Sequence, residues 1–124
     1  MRVSGWILLE LMLLSVPGTF AADLSLSENF SVRHAAEQAR RLLDQGGQSE
    51  KNRSVELLNA VLDCQETRIG AAHRGNFLWE SNQKAIQDVN SVEFVLTHLI
   101  PLLHDHGETL PEDLRNRAKE SIRL

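Results

Sequence analysis

Residues 91–103 read SVEFVLTHLIPLL, and this stretch decides the fold class. Val92, Phe94, Val95, Leu96, Leu99, Ile100, Leu102 and Leu103 leave little polar face, so the segment reads as a helix buried on most sides rather than as an alternating strand. Asn90 or Asp88 is expected to cap its start, and Gly107 sits where a left-handed C-terminal residue belongs. Pro101 removes one backbone donor inside the helix and is expected to kink it near Thr97–Leu99.

Working outward, the flanking segments repeat the helical period. Val32, Ala35, Ala36, Ala39, Leu42 and Leu43 form a stripe over about 31–44 that ends at Gly46-Gly47, and Val55, Leu58, Val61 and Leu62 form a second over about 49–65. A fourth helix begins at Thr109-Leu110-Pro111-Glu112, where Thr109 and Glu112 have capping-box spacing. Its apolar face is Leu114, Ala118 and Ile122, and Asp113 and Arg117 stand at i,i+4. No stretch alternates with period two, tyrosine is absent and aromatics total 5%, which together disfavour strands. The expected class is all-α, built of helical hairpins. The last helix reaches Leu124 in mid-pattern, which reads as a polypeptide that continued.

Before the first stripe, Arg2 precedes the apolar run Trp6-Ile7-Leu8-Leu9 and Leu11-Met12-Leu13-Leu14, interrupted by Glu10. Pro17-Gly18 then breaks the run, and Thr19-Phe20-Ala21 supplies the small residues of a cleavage site. Residues 1–21 therefore read as a secretory signal peptide cleaved after Ala21, leaving 22–124 as one helical domain or the first part of a larger one. The apolar run falls short of the roughly 20 residues a membrane span needs. The expected location is secreted or periplasmic. Removing 1–21 takes away one base and one acid, so the net charge stays at −4. That balance lacks the basic excess of a nucleic-acid binder that works by phosphate neutralisation.

The chemistry-bearing motifs are few. A single cysteine, Cys64, excludes an internal disulfide and any Cys₂ or Cys₄ zinc site; it follows Val61-Leu62 at helical spacing and is expected to be buried. His104 and His106 stand at i,i+2, on divergent faces of a helix, where a metal pair needs i,i+4; a last-turn dipole role accounts for both. No P-loop, dinucleotide fingerprint or nucleophile elbow occurs, so no cofactor is expected. The sequons at Asn29 and Asn52 carry no weight without a known host.

Periodicity fails between Glu66 and Gln83, and irregular stretches of that length are often functional. Within it and just beyond, Phe77 and Trp79 offer rings for stacking on a sugar face. Arg74 and Asn76 offer planar polar groups for hydroxyls or a uronate carboxylate, and Glu80, Asp88 and Glu93 are candidate acids or bases. The plainer reading is that Phe77, Leu78 and Trp79 anchor the loop to the core while Asp88, Asn90 and Glu93 cap the apolar helix.

The run Arg74-Gly75-Asn76-Phe77, then Asp88-Val89-Asn90-Ser91-Val92-Glu93-Phe94, Leu99-Ile100-Pro101-Leu102, His106-Gly107 and Leu110-Pro111-Glu112-Asp113-Leu114-Arg115 resembles the N-terminal part of exported bacterial (α/α)-toroid proteins. These are the barrels of helical hairpins shared by many polysaccharide lyases and six-hairpin glycosidases. The resemblance covers about half the chain and matches none of their catalytic residues. It implies a helical segment of a carbohydrate-active protein, with polysaccharide or oligosaccharide as partner and 74–93 at the glycan-facing rim. The alternative is a small exported helical domain that binds a protein partner through exposed apolar helix faces.

Overall fold

The computed structural model describes residues 24–124; the expected signal segment and its cleavage point lie outside them. Four helices follow in order: α1 (Val32–Gln45), α2 (Gln48–Asp63), α3 (Ser91–His106) and α4 (Glu112–Arg123), with a 3₁₀ turn at Gly107–Thr109. The all-α expectation holds: among the described residues there is no strand, only two isolated β-bridges.

The stripes explain the helices. Val32, Ala35, Ala36, Ala39 and Leu43 of α1 are buried, as are Leu57, Leu58, Val61 and Leu62 of α2. The small alanines let the two helices approach, and Ser54 Oγ donates to Ala39 O at 2.9 Å inside that contact. Ser31 caps α1 by accepting the His34 N–H at 3.2 Å. Gly46 ends it at φ +78, a conformation that costs glycine little and other residues much.

The helices form two antiparallel hairpins placed side by side with like directions. α1 packs on α2 and α3, while α4 packs on α2 and α3. Arg33 and Phe94 meet at the starts of α1 and α3, Asp44 and His106 at their ends, so these two neighbours run parallel. Arg117 reaches back to Asn59 and Asp63, and Gln65 Nε2 donates to Ser121 O at 3.1 Å, so α2 and α4 run parallel as well. Both hairpin turns therefore lie at one end. The crossover of residues 64–90 lies at the other, with the starts of α1 and α3.

Several local expectations are corrected. α3 is buried only at Ser91, Val95, Leu99 and Leu102, and Phe94 and Ile100 remain 39% and 48% exposed, because just two helices pack on it. Gly107 is right-handed (φ −52, ψ −40) and leads into the 3₁₀ turn rather than a left-handed stop. Neither Asn90 nor Asp88 caps α3 through its side chain. Asp88 Oδ1 instead accepts the Asn90 N–H at 2.8 Å, outside the helix. The capping box at Thr109 does not form, since α4 starts after Pro111 and the Thr109 hydroxyl donates to His106 O at 2.7 Å. Arg117 ignores Asp113 and pairs with Asp63 at 2.6 Å, a partner 54 residues away.

Candidate functional site

The crossover is irregular but tightly fastened. At its start, Gln65 opposes Phe77 in an antiparallel bridge, flanked by Leu78 N–H to Cys64 O at 3.0 Å and Glu66 N–H to Asn76 O at 2.8 Å. In this register the Phe77 N–H and C=O point away from Gln65, and the Ser91 hydroxyl meets both. It accepts the N–H at 3.2 Å and donates to the carbonyl at 2.6 Å. Further on, Ser31 opposes Glu80, flanked by Val32 N–H to Trp79 O and Ser81 N–H to Phe30 O, each 2.9 Å. Gln83 Oε1 accepts the N–H groups of Trp79 and Glu80 at 2.9 and 3.1 Å, closing a tight turn behind the indole.

These fastenings separate the residues that the sequence groups together. Phe77 is fully buried in the core, so it cannot serve as a stacking surface; the Gln65 pairing turns its ring inward. Arg74 is exposed on the turn 67–74, where its Nε donates to Thr67 O at 3.2 Å. Asn76 turns its Oδ1 into the protein, buried and without a hydrogen-bond partner, so that oxygen is not offered to a ligand. Asp88 shapes the turn before α3, its carbonyl oxygen 3.1 Å from the Ser91 hydroxyl oxygen, whose one proton goes to the nearer Phe77 carbonyl. Glu93 lies exposed in the first turn of α3.

Trp79 and Glu80 acquire different neighbours. The Trp79 ring packs on Phe94 with centroids 5.2 Å apart and planes inclined at 53°. The Arg33 guanidinium carbon lies 5.0 Å from the Phe94 centroid, a cation–π arrangement. Glu80 Oε2 accepts from Asn29 Nδ2 at 3.1 Å, and Asn29 Oδ1 accepts from Ser81 Oγ at 3.3 Å and the Asn82 N–H at 3.1 Å. Arg33, Trp79 and Phe94 thus form a partly exposed ledge of two rings and a guanidinium, with the carboxylate of Glu80 beside Trp79 in the chain and fixed by Asn29. Both polar atoms of the Asn29 sequon amide are engaged in this work, and at the Asn52 sequon Ser54 is buried against Ala39.

The sequence reading missed Phe94 and Arg33 as site residues. Phe94 carried a usable signal: it is one position out of phase with the core set Ser91, Val95, Leu99 and Leu102. Arg33 carried none, because only tertiary packing brings it to α3.

Cys64 is buried, and burial with Asp63 nearby pushes its thiol up to about 11. Among the described residues no group of three or more His, Cys, Asp or Glu is placed to hold a metal. His104 Nδ1 lies 2.9 Å from Asp105 Oδ1 and His106 Nε2 lies 2.7 Å from Asp44 Oδ1. A cavity of about 170 Å³ between the two hairpin turns is lined by Leu42, Leu43, Lys51, His106 and Thr109, and none of the sequence candidates reaches it. No described helix is long and apolar enough to cross a membrane. No protein-family model matches the chain, and no curated protein or solved structure matches it either.

Proposed function

We propose that this chain is an exported helical segment of a carbohydrate-active protein and that the ledge of Trp79, Phe94 and Arg33 contacts the glycan, Glu80 being the next residue in the chain after Trp79. The observation that carries the reading is the half-open ring pair with a guanidinium on it. Aromatic faces cover the apolar C–H surface of a sugar, and planar polar groups take its hydroxyls or a carboxylate. The side-by-side hairpins, α1 parallel to α3 and α2 parallel to α4, support a place in a larger array of hairpins of the (α/α)-barrel kind, since that unit extends by repetition. Export rests on the segment ending at Ala21, and N-terminal sequencing of the protein from its native host tests it.

The binding test uses residues 22–124, the chain that export would leave, in which Trp79 is the only indole. Titration with neutral and uronate-containing oligosaccharides is expected to change Trp79 emission saturably. Phe94→Ala removes one of the two rings offered to the sugar, so affinity is expected to fall, each 1.4 kcal/mol of lost contact reading as about tenfold in Kd. No saturable change with any sugar of the panel refutes the reading.

A second reading has its own observation. Ile100 is 48% exposed on α3, an apolar side chain open to a protein partner. Ile100→Asp separates the two, because it abolishes docking at Ile100 and leaves sugar binding at Trp79 intact.

A further inference from the structure

Two features at opposite ends of the bundle play no part in the proposed ledge, and they complement one another. The first is a knob on the crossover. The turn Arg68-Ile69-Gly70-Ala71 closes with the Ala71 N–H donating to Arg68 O at 3.2 Å, and Gly70 at φ +86 supplies its left-handed corner. A second turn brings the Arg74 N–H to Ala71 O at 3.3 Å, and the Gly75 N–H ties the loop shut on Glu66 O at 2.7 Å. On this fixed backbone Ile69 is 91% exposed, the most open large apolar side chain among the described residues. Arg68, His73 and Arg74 are exposed on the same loop, and its one carboxylate, Glu66, is engaged by Arg68.

The second is a hole. The half-open cavity of about 170 Å³ between the two hairpin turns has Leu42 and Leu43 as its apolar wall. Gly46 and Gly47 bring no side chains into it, and a Cβ at Gly46 would meet nothing within 4 Å. An apolar cavity of about 150 Å³ takes up benzene, so this one has room for the smaller side chain of an isoleucine. Three carboxylates border it: Asp44 on the lining residue His106, Glu50 folded against Gly47, and Glu108 next to Thr109. The facing cations are Lys51 in the lining and Arg115, 3.5 Å from Glu108. With histidines counted as neutral, the rim is acidic on balance where the knob is basic.

We infer that the chain associates with a second copy of itself head to tail, the Ile69 turn of one molecule entering the Leu42–Leu43 cavity of the next. Knob and hole lie at opposite ends, so the contact is heterologous. Each molecule added leaves one free knob and one free hole, and growth runs to short chains instead of stopping at a two-fold dimer. Ile69 exchanges water for an apolar wall, while the basic loop meets the acidic rim, which fixes the register and makes the contact salt-sensitive. A single knob makes a small interface, so the association is weak and shows at high protein concentration.

Sedimentation velocity on residues 22–124, from about 10 μM to about 1 mM, is expected to show an average size that rises with concentration, and less so at high salt. Ile69→Asp changes a side chain that the fold does not use and weakens association about tenfold or more. Thr109→Arg sets a long cation at the cavity and does the same from the other side. An equimolar mixture of the two variants gives the sharpest result. Ile69→Asp keeps its hole and Thr109→Arg keeps its knob, so the mixture forms a dimer and stops there, because the ends left free are the disabled ones. Circular dichroism checks the fold of each variant, and where Thr109→Arg does not fold, Lys51→Trp blocks the same cavity. A parent that stays monomeric throughout, or that forms only a two-fold dimer, overturns the proposal. So does association that ignores Ile69→Asp, or a mixture that stays monomeric.

Discussion

Ser91→Ala is the substitution that most directly tests how the crossover is held. Ser91 is fully buried at the start of α3, and its hydroxyl takes both backbone groups of Phe77, itself fully buried. The register with Gln65 leaves those two groups facing away from their bridge partner, so no other backbone group satisfies them. Removing the hydroxyl strands a buried N–H and a buried C=O. At about 1–3 kcal/mol for each unsatisfied group, and with the saving from no longer burying the hydroxyl itself, the expected loss is on the order of 2–4 kcal/mol. That is a large part of a small domain's stability of about 5–15 kcal/mol, and it corresponds to a fall in midpoint of roughly 10 °C or more. Urea unfolding followed by far-ultraviolet circular dichroism gives the free energy and its denaturant slope together. Ser81→Ala is the comparison, because its hydroxyl also accepts a backbone N–H, from Phe30 at 3.0 Å, but at a half-buried place that water can reach; its loss is about 1 kcal/mol or less. A Ser91→Ala loss below about 0.5 kcal/mol with an unchanged slope, well under the usual cost of one stranded group, refutes the assignment of Ser91 as the staple.

Two further perturbations address the neighbouring fastenings. Gly75 has φ +95, and a Cβ there would stand 2.9 Å from the Leu124 carbonyl carbon, whereas Gly70 has φ +86 with open space around it. Gly75→Ala is expected to cost about 1–3 kcal/mol from backbone strain alone, with the Leu124 clash added, and to exceed Gly70→Ala in the same unfolding assay; equal losses dismiss the Leu124 contact. Cys64 is expected to resist a thiol reagent at pH 8 until the chain is denatured, and rapid labelling of the native protein contradicts its burial. The sign of its pH dependence is also fixed. The folded thiol is raised to about 11 from 9.0, so its contribution is complete below 9.0 and is lost as the pH rises toward about 11, where the unfolded chain ionises first.

Much of the fold was legible because helices write their core contacts at short range. The stripe Val32, Ala35, Ala36, Ala39, Leu43 defines one face of α1, and the pair Gly46-Gly47 closes it. The same logic found α2 and α4 to within a few residues. It overreached on α3, where composition alone set the expectation: a helix apolar all round suggests burial all round. Phase was the better guide, since Ser91, Val95, Leu99 and Leu102 mark the core side and place Phe94 and Ile100 outside it. The end chemistry failed for a related reason. Thr109 and Glu112 have the right spacing for a box, but the 3₁₀ turn draws the Thr109 hydroxyl back to His106 O. Arg117 finds Asp63 across the bundle rather than Asp113 along its own helix.

The site was legible only as a region, and the case of Phe77 and Trp79 shows why. Two residues apart in an irregular run, they look like one pair of rings, and in a continuous strand they would share a face. The chain changes partner between them: Phe77 lies opposite Gln65, and Glu80 lies opposite Ser31. The first register turns a ring into the core. The second carries Trp79 to the start of α1, where Phe94 and Arg33 await it. Those two ring partners lie on separate helices, and their meeting depends on α1 and α3 running parallel, a property of how the hairpins pack and not of any local pattern. The ledge proposed to contact a sugar is therefore a consequence of the hairpin arrangement, and disturbing the α1–α3 contact should disable it as surely as truncating Trp79.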